Sequence, residues 1–180
     1  AAHSPQPLSS DNQQSVDVLL RSIELSAEEF TLLLPICNYG ALQARIAAQL
    51  QSRASIQILE LPNHLPSLYR AVQEATQHHT PDALMILGLE RVDNIDDVLA
   101  ATNLVREEFR TQFPFPICVW INEGLHQKLI RQVPDIESWA TSVLFQGEPD
   151  VLQEFLETTI DSLYSQVRNS NGLLASEATT

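Results

Sequence analysis

The chain has 180 residues, 44% of them hydrophobic, enough for one domain with a sizeable core and short appendages. Its formal net charge is −13 and its pI about 4.6. A chain this acidic repels phosphate backbones and anionic lipid, so no nucleic acid and no membrane surface is expected among its general partners.

Residues 1–9 hold two prolines and little apolar content and read as a flexible lead-in. The chain does not begin with Met and shows no secretory signal. Its start is therefore expected to be a cut boundary or the interior of a longer chain. A helix is predicted to about Glu24, with Val16, Leu19, Leu20 and Ile23 as its apolar stripe. Ser26 and Glu29 have the spacing of a short capping box.

An alternation of strands and helices then begins. "FTLLLPIC" (30–37) reads as a buried strand and "ALQARIAAQLQ" (41–51) as a helix. "SIQILEL" (55–61) is a strand whose Gln57 and Glu60 suit a sheet edge. "HLPSLYRAVQEAT" (64–76) places Leu65, Leu68, Tyr69 and Val72 on one helical face. "DALMILGL" (82–89) is nearly all apolar, as in a parallel strand covered on both faces. A long helix is expected from Asn94, as cap, to about Gln112, burying Ile95, Val98, Leu99, Thr102, Val105 and Phe109.

"FPFPICVWI" (113–121) is the fourth strand, its prolines at the start where no ladder donor is needed. "EGLHQKLIRQV" (123–133) is a helix ending before Pro134, and "TSVLFQ" (141–146) a short last strand. A final helix, about Pro149 to Arg168, carries a stripe of Val151, Leu152, Phe155, Leu156, Ile160, Leu163, Tyr164 and Val167. Residues 169–180 read as a flexible tail or linker, leaving 10–168 as a single α/β domain. Five strands separated by helices mean a three-layer α/β/α fold with a mainly parallel sheet and ligands, if any, at the carboxyl ends of the strands.

The turn Asn38-Tyr39-Gly40 stands where a nucleotide-binding domain holds phosphate. A working cradle needs several glycines, a Lys for the terminal phosphates and a Ser or Thr for magnesium. "CNYGALQ" offers one glycine and none of the others, and Lys128, the one lysine, lies far downstream. At most, Gly40 and the first amides of the following helix leave a weak anion site. The third strand ends in Gly88-Leu89-Glu90, so a catalytic-type glutamate position is filled while the metal-binding aspartate is missing; as a loop acid or cap, Glu90 has a plain structural reading too. No G-x-G-x-x-G, zinc spacing or supported Cys–His pair occurs. Cys37 and Cys118 end or interrupt apolar runs and read as buried free thiols of a reducing, cytoplasmic compartment.

"LPICNYGALQ", "PDALMILGLE", "ATNLVREEFRTQFPFPICVWIN" and "VPDIESWATSVLFQ" together resemble a bacterial, mainly cyanobacterial, domain of tetratricopeptide-repeat and signalling multidomain proteins. That domain is related to the STAND and AAA-type P-loop NTPases. The matching positions are Cys37-Asn38, Gly88-Leu89-Glu90, Asn103 with Arg106, Phe113-Pro114-Phe115-Pro116, Trp120, and Pro134-Asp135 with Trp139; the resemblance covers about residues 20–146. It implies strand order 5-1-4-3-2, with extra N- and C-terminal helices. That topology draws the turns after the first, third and fourth strands together, making Asn38, Tyr39, Gly40, Glu90 and Asn122 the candidate partner- or ligand-binding residues. Trp120 is read as core and Arg106 and Arg110 as surface-paired among Glu107 and Glu108. The expected role is a non-catalytic regulatory or scaffold domain with no cofactor and no metal, contacting other domains of its parent protein or a protein partner. The alternative is a sensor that binds a nucleotide or small anion without hydrolysing it.

Overall fold

The computed structural model describes residues 7–177, so the first six positions of the predicted lead-in lie outside the described residues. Residues Leu8–Gln146 form one compact unit, and the segment from Gly147 onward clusters apart from it.

The first helix, α1 (Ser10–Leu25), is capped by the Ser9 hydroxyl, which accepts from Asn12 N, and buries the predicted Val16, Leu19, Leu20 and Ile23 together with Asn12. Ser26 and Glu29 do not make a capping box. Glu29 N donates to Ser26 O at 3.1 Å and Glu28 takes a positive φ of 64°, so this stretch is a tight turn into the sheet. The sheet comprises β1 (Thr31–Ile36), β2 (Gln57–Glu60), β3 (Leu84–Leu87), β4 (Pro116–Val119) and β5 (Ala140–Leu144). All pairings are parallel and the order is β2-β3-β4-β1-β5. This is the expected 5-1-4-3-2 order, that of a P-loop NTPase-like fold. Gln57 and Glu60 lie on an edge strand, as their polarity required.

Strand periodicity divides the core. Leu34, Ile36, Ile86, Ile117, Val119 and Ile121 share one cluster with α3 (Leu68–Thr76), α4 (Ile95–Leu104), α5 (Arg106–Gln112), α6 (Glu123–Gln132) and α7 (Pro134–Trp139). The alternate residues Leu33, Met85, Cys118 and Trp120 are also buried. They point to the opposite face, where α1 and α2 (Gly40–Arg53) supply Val16, Leu19, Leu42, Ile46 and Leu50.

Two departures have local causes. Residues 94–112 form two helices, not one, broken at Val105. The Arg106 guanidinium takes the Asn103 carbonyl at 2.8 Å, and Val105 N turns back to Thr102 O at 3.2 Å, so the regular i to i−4 ladder ends there. Val105, at the break, and Ile95, at the start of α4, are only partly buried, whereas Val98, Leu99, Thr102 and Phe109 are buried. Asn94 does not cap α4 with its side chain. Its amide instead clamps the Leu65 backbone, accepting from Leu65 N at 3.1 Å and donating to Leu65 O at 2.8 Å. The last helix, α8, runs from Pro149 to Glu177, nine residues past Arg168, so helix occupies most of the segment expected as a tail.

Candidate functional site

Parallel strands deliver their following turns to one edge of a sheet. Here the edge is shaped by a proline. The β1–β4 ladder pairs Thr31, Leu33 and the residue between them with Pro116 to Cys118, then resumes only as a single Ile36–Ile121 bridge. Pro35, which has no N–H, lies in the gap and contributes only its carbonyl, to Ile121 N at 3.1 Å. Beyond the gap, Cys37 N donates to Ile121 O at 2.9 Å.

The loops after β1 and β4 are then tied side chain to backbone. Asn38 accepts from Glu123 N through Oδ1 at 3.0 Å and donates through Nδ2 to Glu123 Oε2 at 2.9 Å. Asn122 caps α6, accepting from Leu125 N at 2.8 Å. Asn38 and Asn122 therefore meet at one place, held by Glu123. Sequence reasoning passed over Glu123; the signal was its position directly after the capping Asn122, within reach of any turn on a neighbouring strand. Tyr39 is half-buried and ends the turn, its carbonyl accepting from Gln43 N at 2.9 Å. Gly40 opens α2 without strain, and a Cβ added there would meet nothing within 4 Å.

Glu90 lies one strand further along the edge, in a 3-10 turn over Leu89–Arg91, and no hydrogen bond joins it to Asn38 or Asn122. Gly88 makes that turn possible, with a φ of +93°. One carboxylate oxygen of Glu90, Oε2, is buried with no hydrogen-bond partner, and so is the indole nitrogen of Trp120. Trp120 is fully buried and stacks on Phe145 at a centroid distance of 5.6 Å, as its core reading required.

Electrostatically the edge carries the acids Glu90 and Glu123; its one turn cation, Arg91 in the 3-10 turn with Glu90, faces Glu60 at 3.2 Å. Burial pushes the Cys37 thiol up, partly offset by backbone hydrogen bonds with Tyr39 and Gln43, which makes it a poor nucleophile. Among the described residues no group of three or more His, Cys, Asp and Glu is placed to hold a metal ion. No helix among them is long and apolar enough to cross a membrane. The apolar cavity between Leu34, Ile86, Leu99, Phe109 and Ile117 measures about 60 Å³, far below the ~300 Å³ at which ligand pockets begin. Arg106, at one wall of that cavity, faces Asp135 at 3.7 Å, and Arg110 lies over Trp139 at 5.2 Å while facing Glu107 at 3.8 Å.

No protein-family model and no curated protein matches the sequence. Among solved structures, a chain of the Drosophila ORC bound to poly(dA/dT) DNA and Cdc6 is similar at 13% identity and a TM-score of 0.49, over 82% of this chain and 31% of that one. The Aeropyrum pernix ORC2 protein, in its ADP form, is similar at 11% identity and a TM-score of 0.40, over 88% of this chain and 54% of that one. The chain thus spans less than two thirds of either.

Proposed function

We propose that this is a non-catalytic regulatory or scaffold domain of a larger cytoplasmic signalling protein. In this reading the carboxyl edge of a P-loop NTPase-like sheet contacts other domains of the parent protein or a protein partner. The observation that carries it is the Asn38–Glu123 pair. Where a phosphate cradle offers free amides and a cation, this turn holds a carboxylate against its own asparagine. An incoming phosphate meets the Glu123 carboxylate at this turn, and Arg91, the cation of the neighbouring turn, is already engaged by Glu60, which also disfavours a nucleotide-sensing role. Tyr39 supplies the aromatic surface that interface anchors use.

Two measurements test this. Calorimetric titration with Mg-ATP should show no binding at micromolar concentrations and no hydrolysis; a micromolar or tighter dissociation constant sinks the proposal. Tyr39→Ala combined with Glu90→Ala should leave thermal unfolding near wild type and weaken association with the remainder of the parent protein at least tenfold. Unchanged association moves the partner surface elsewhere.

A further inference from the structure

We propose that α8 pairs with α8 of a second copy of this chain, as a short parallel two-stranded coiled coil whose seam is Leu156, Ile160, Leu163 and Val167. These four side chains are 56%, 48%, 55% and 57% exposed. A helix draws most of its stability from burying such a stripe, and a contiguous exposed apolar face marks a protein contact.

The pattern of the stripe selects the occupant. Spacings of four, three and four residues place Ile160 and Val167 at a positions and Leu156 and Leu163 at d positions of a heptad repeat. β-branched residues at a with leucine at d are the combination that favours two parallel strands. The alternation is short, bounded by Gln153 at the preceding a and Ser170 at the following d, but within it the side-chain shapes are those a parallel pair favours and a globular groove does not require. Charge agrees. Two chains of net −13 each repel unless their acids are held off the seam. Glu154 and Asp161 fall at b, on the outer side. Glu157 falls at e, and the g positions that face e across such a seam are Leu152, Thr159 and Gln166, all uncharged, so no like-charge pair forms. Tyr164, also at e and 66% exposed, covers the flank. This inference does not depend on the role proposed for the sheet edge.

The test is light scattering coupled to size exclusion on the full 180-residue chain, loaded from about 5 to 500 μM, a span that covers weak interfaces. The mass should rise from 20.1 kDa to twice that value. Ile160→Lys with Leu163→Lys should abolish the rise, while Ser162→Lys, on the outer face at c, should leave it; circular dichroism and buried-tryptophan fluorescence verify that each variant is folded. Val167→Cys should form an intermolecular disulfide under mild oxidation, since the native Cys37 and Cys118 are buried and do not compete. A monomer at every concentration, or a dimer that survives the double lysine variant, overturns the proposal. A seam-dependent dimer that fails to cross-link at position 167 overturns the parallel arrangement.

Discussion

Raising the pH should destabilise this protein through its buried thiols, Cys118 above all. Cys118 is 1% exposed and lies in β4 with Leu33 of β1 and Met85 of β3 as its register partners. A thiolate there would be stripped of water with no cation to replace it, and burial pushes its pKa from 9.0 up to about 12. The folded state therefore holds this proton more tightly than the unfolded state. Below pH 9 both states are protonated and stability is unaffected. Between pH 9 and about 12 the unfolded thiol ionises first, so stability is lost as pH rises, by roughly 1.4 kcal/mol per pH unit. Over the three units the loss approaches ~4 kcal/mol, a large part of the total for a domain of this size. At pH 10.5 the expected loss is ~2 kcal/mol. Urea unfolding at pH 8 and pH 10.5, run on wild type and on Cys118→Val, isolates this group, because every other titratable residue is common to both proteins. The gap between the two proteins should shift by ~2 kcal/mol in favour of the variant on going to pH 10.5. A gap that stays constant refutes the reasoning, as does native-state alkylation of Cys118 at the rate of a free thiol.

Asn94→Ala should lower stability by ~2–4 kcal/mol, since it leaves both the N–H and the carbonyl of buried Leu65 without their partner; chemical denaturation reads this directly. The Asp96 carboxyl should titrate below the usual carboxylate range in a carbon-13 NMR experiment. Hydrogen bonds from Lys128 at 2.6 Å and Gln132 at 3.1 Å hold it there, so this tie between α4 and α6 is present above the usual range and lost as pH falls through the lowered value. The two glycines of the sheet edge should respond with opposite signs. Gly88→Ala puts a Cβ at φ +93°, 2.8 Å from Arg91 Nη2 and 3.3 Å from Leu61 O, and should cost ~1–2 kcal/mol. Gly40→Ala enters open space and should stabilise by ~0.4–1 kcal/mol through the unfolded state; a loss at Gly40 would show that the turn needs its glycine after all.

The strands were legible because each is an apolar run bounded by turn chemistry, and Gln57 and Glu60 marked an edge by polarity alone. Strand order was not in the periodicity; it came with the resemblance and agrees with the observed pairing. The break at Val105 was invisible because Thr102, Val105 and Phe109 keep helical spacing across it. What ends the ladder is a guanidinium reaching back one turn, which no hydrophobic pattern encodes. Asn94 illustrates the same limit. Its residue type and position fit a cap, but its amide matches a backbone donor–acceptor pair 29 residues away, and that pair exists only once β2 and β3 are adjacent. Glu123 escaped notice for the same reason, since it becomes a site residue only when β4 lies beside β1.

In the proposed reading, the sheet keeps a nucleotide-domain topology without that chemistry, and the residues of the edge supply a physical reason. A cradle works when its turn leaves amides unengaged and a cation poised, and both conditions leave the turn unsatisfied until phosphate arrives. In this chain Pro35 removes a ladder donor next to that turn, so the edge has fewer backbone ties between β1 and β4. Asn38 replaces them with two side-chain hydrogen bonds to Glu123, both solvent-exposed and so at the low end of the ~0.5–1.5 kcal/mol range. The replacement needs a carboxylate at the turn, and a carboxylate there opposes phosphate. Local stability and anion binding thus pull in opposite directions at this position, and the residues present favour stability. In the role proposed for this edge, the surface around Tyr39 and Glu123 would meet a cationic or aromatic protein face rather than a phosphate.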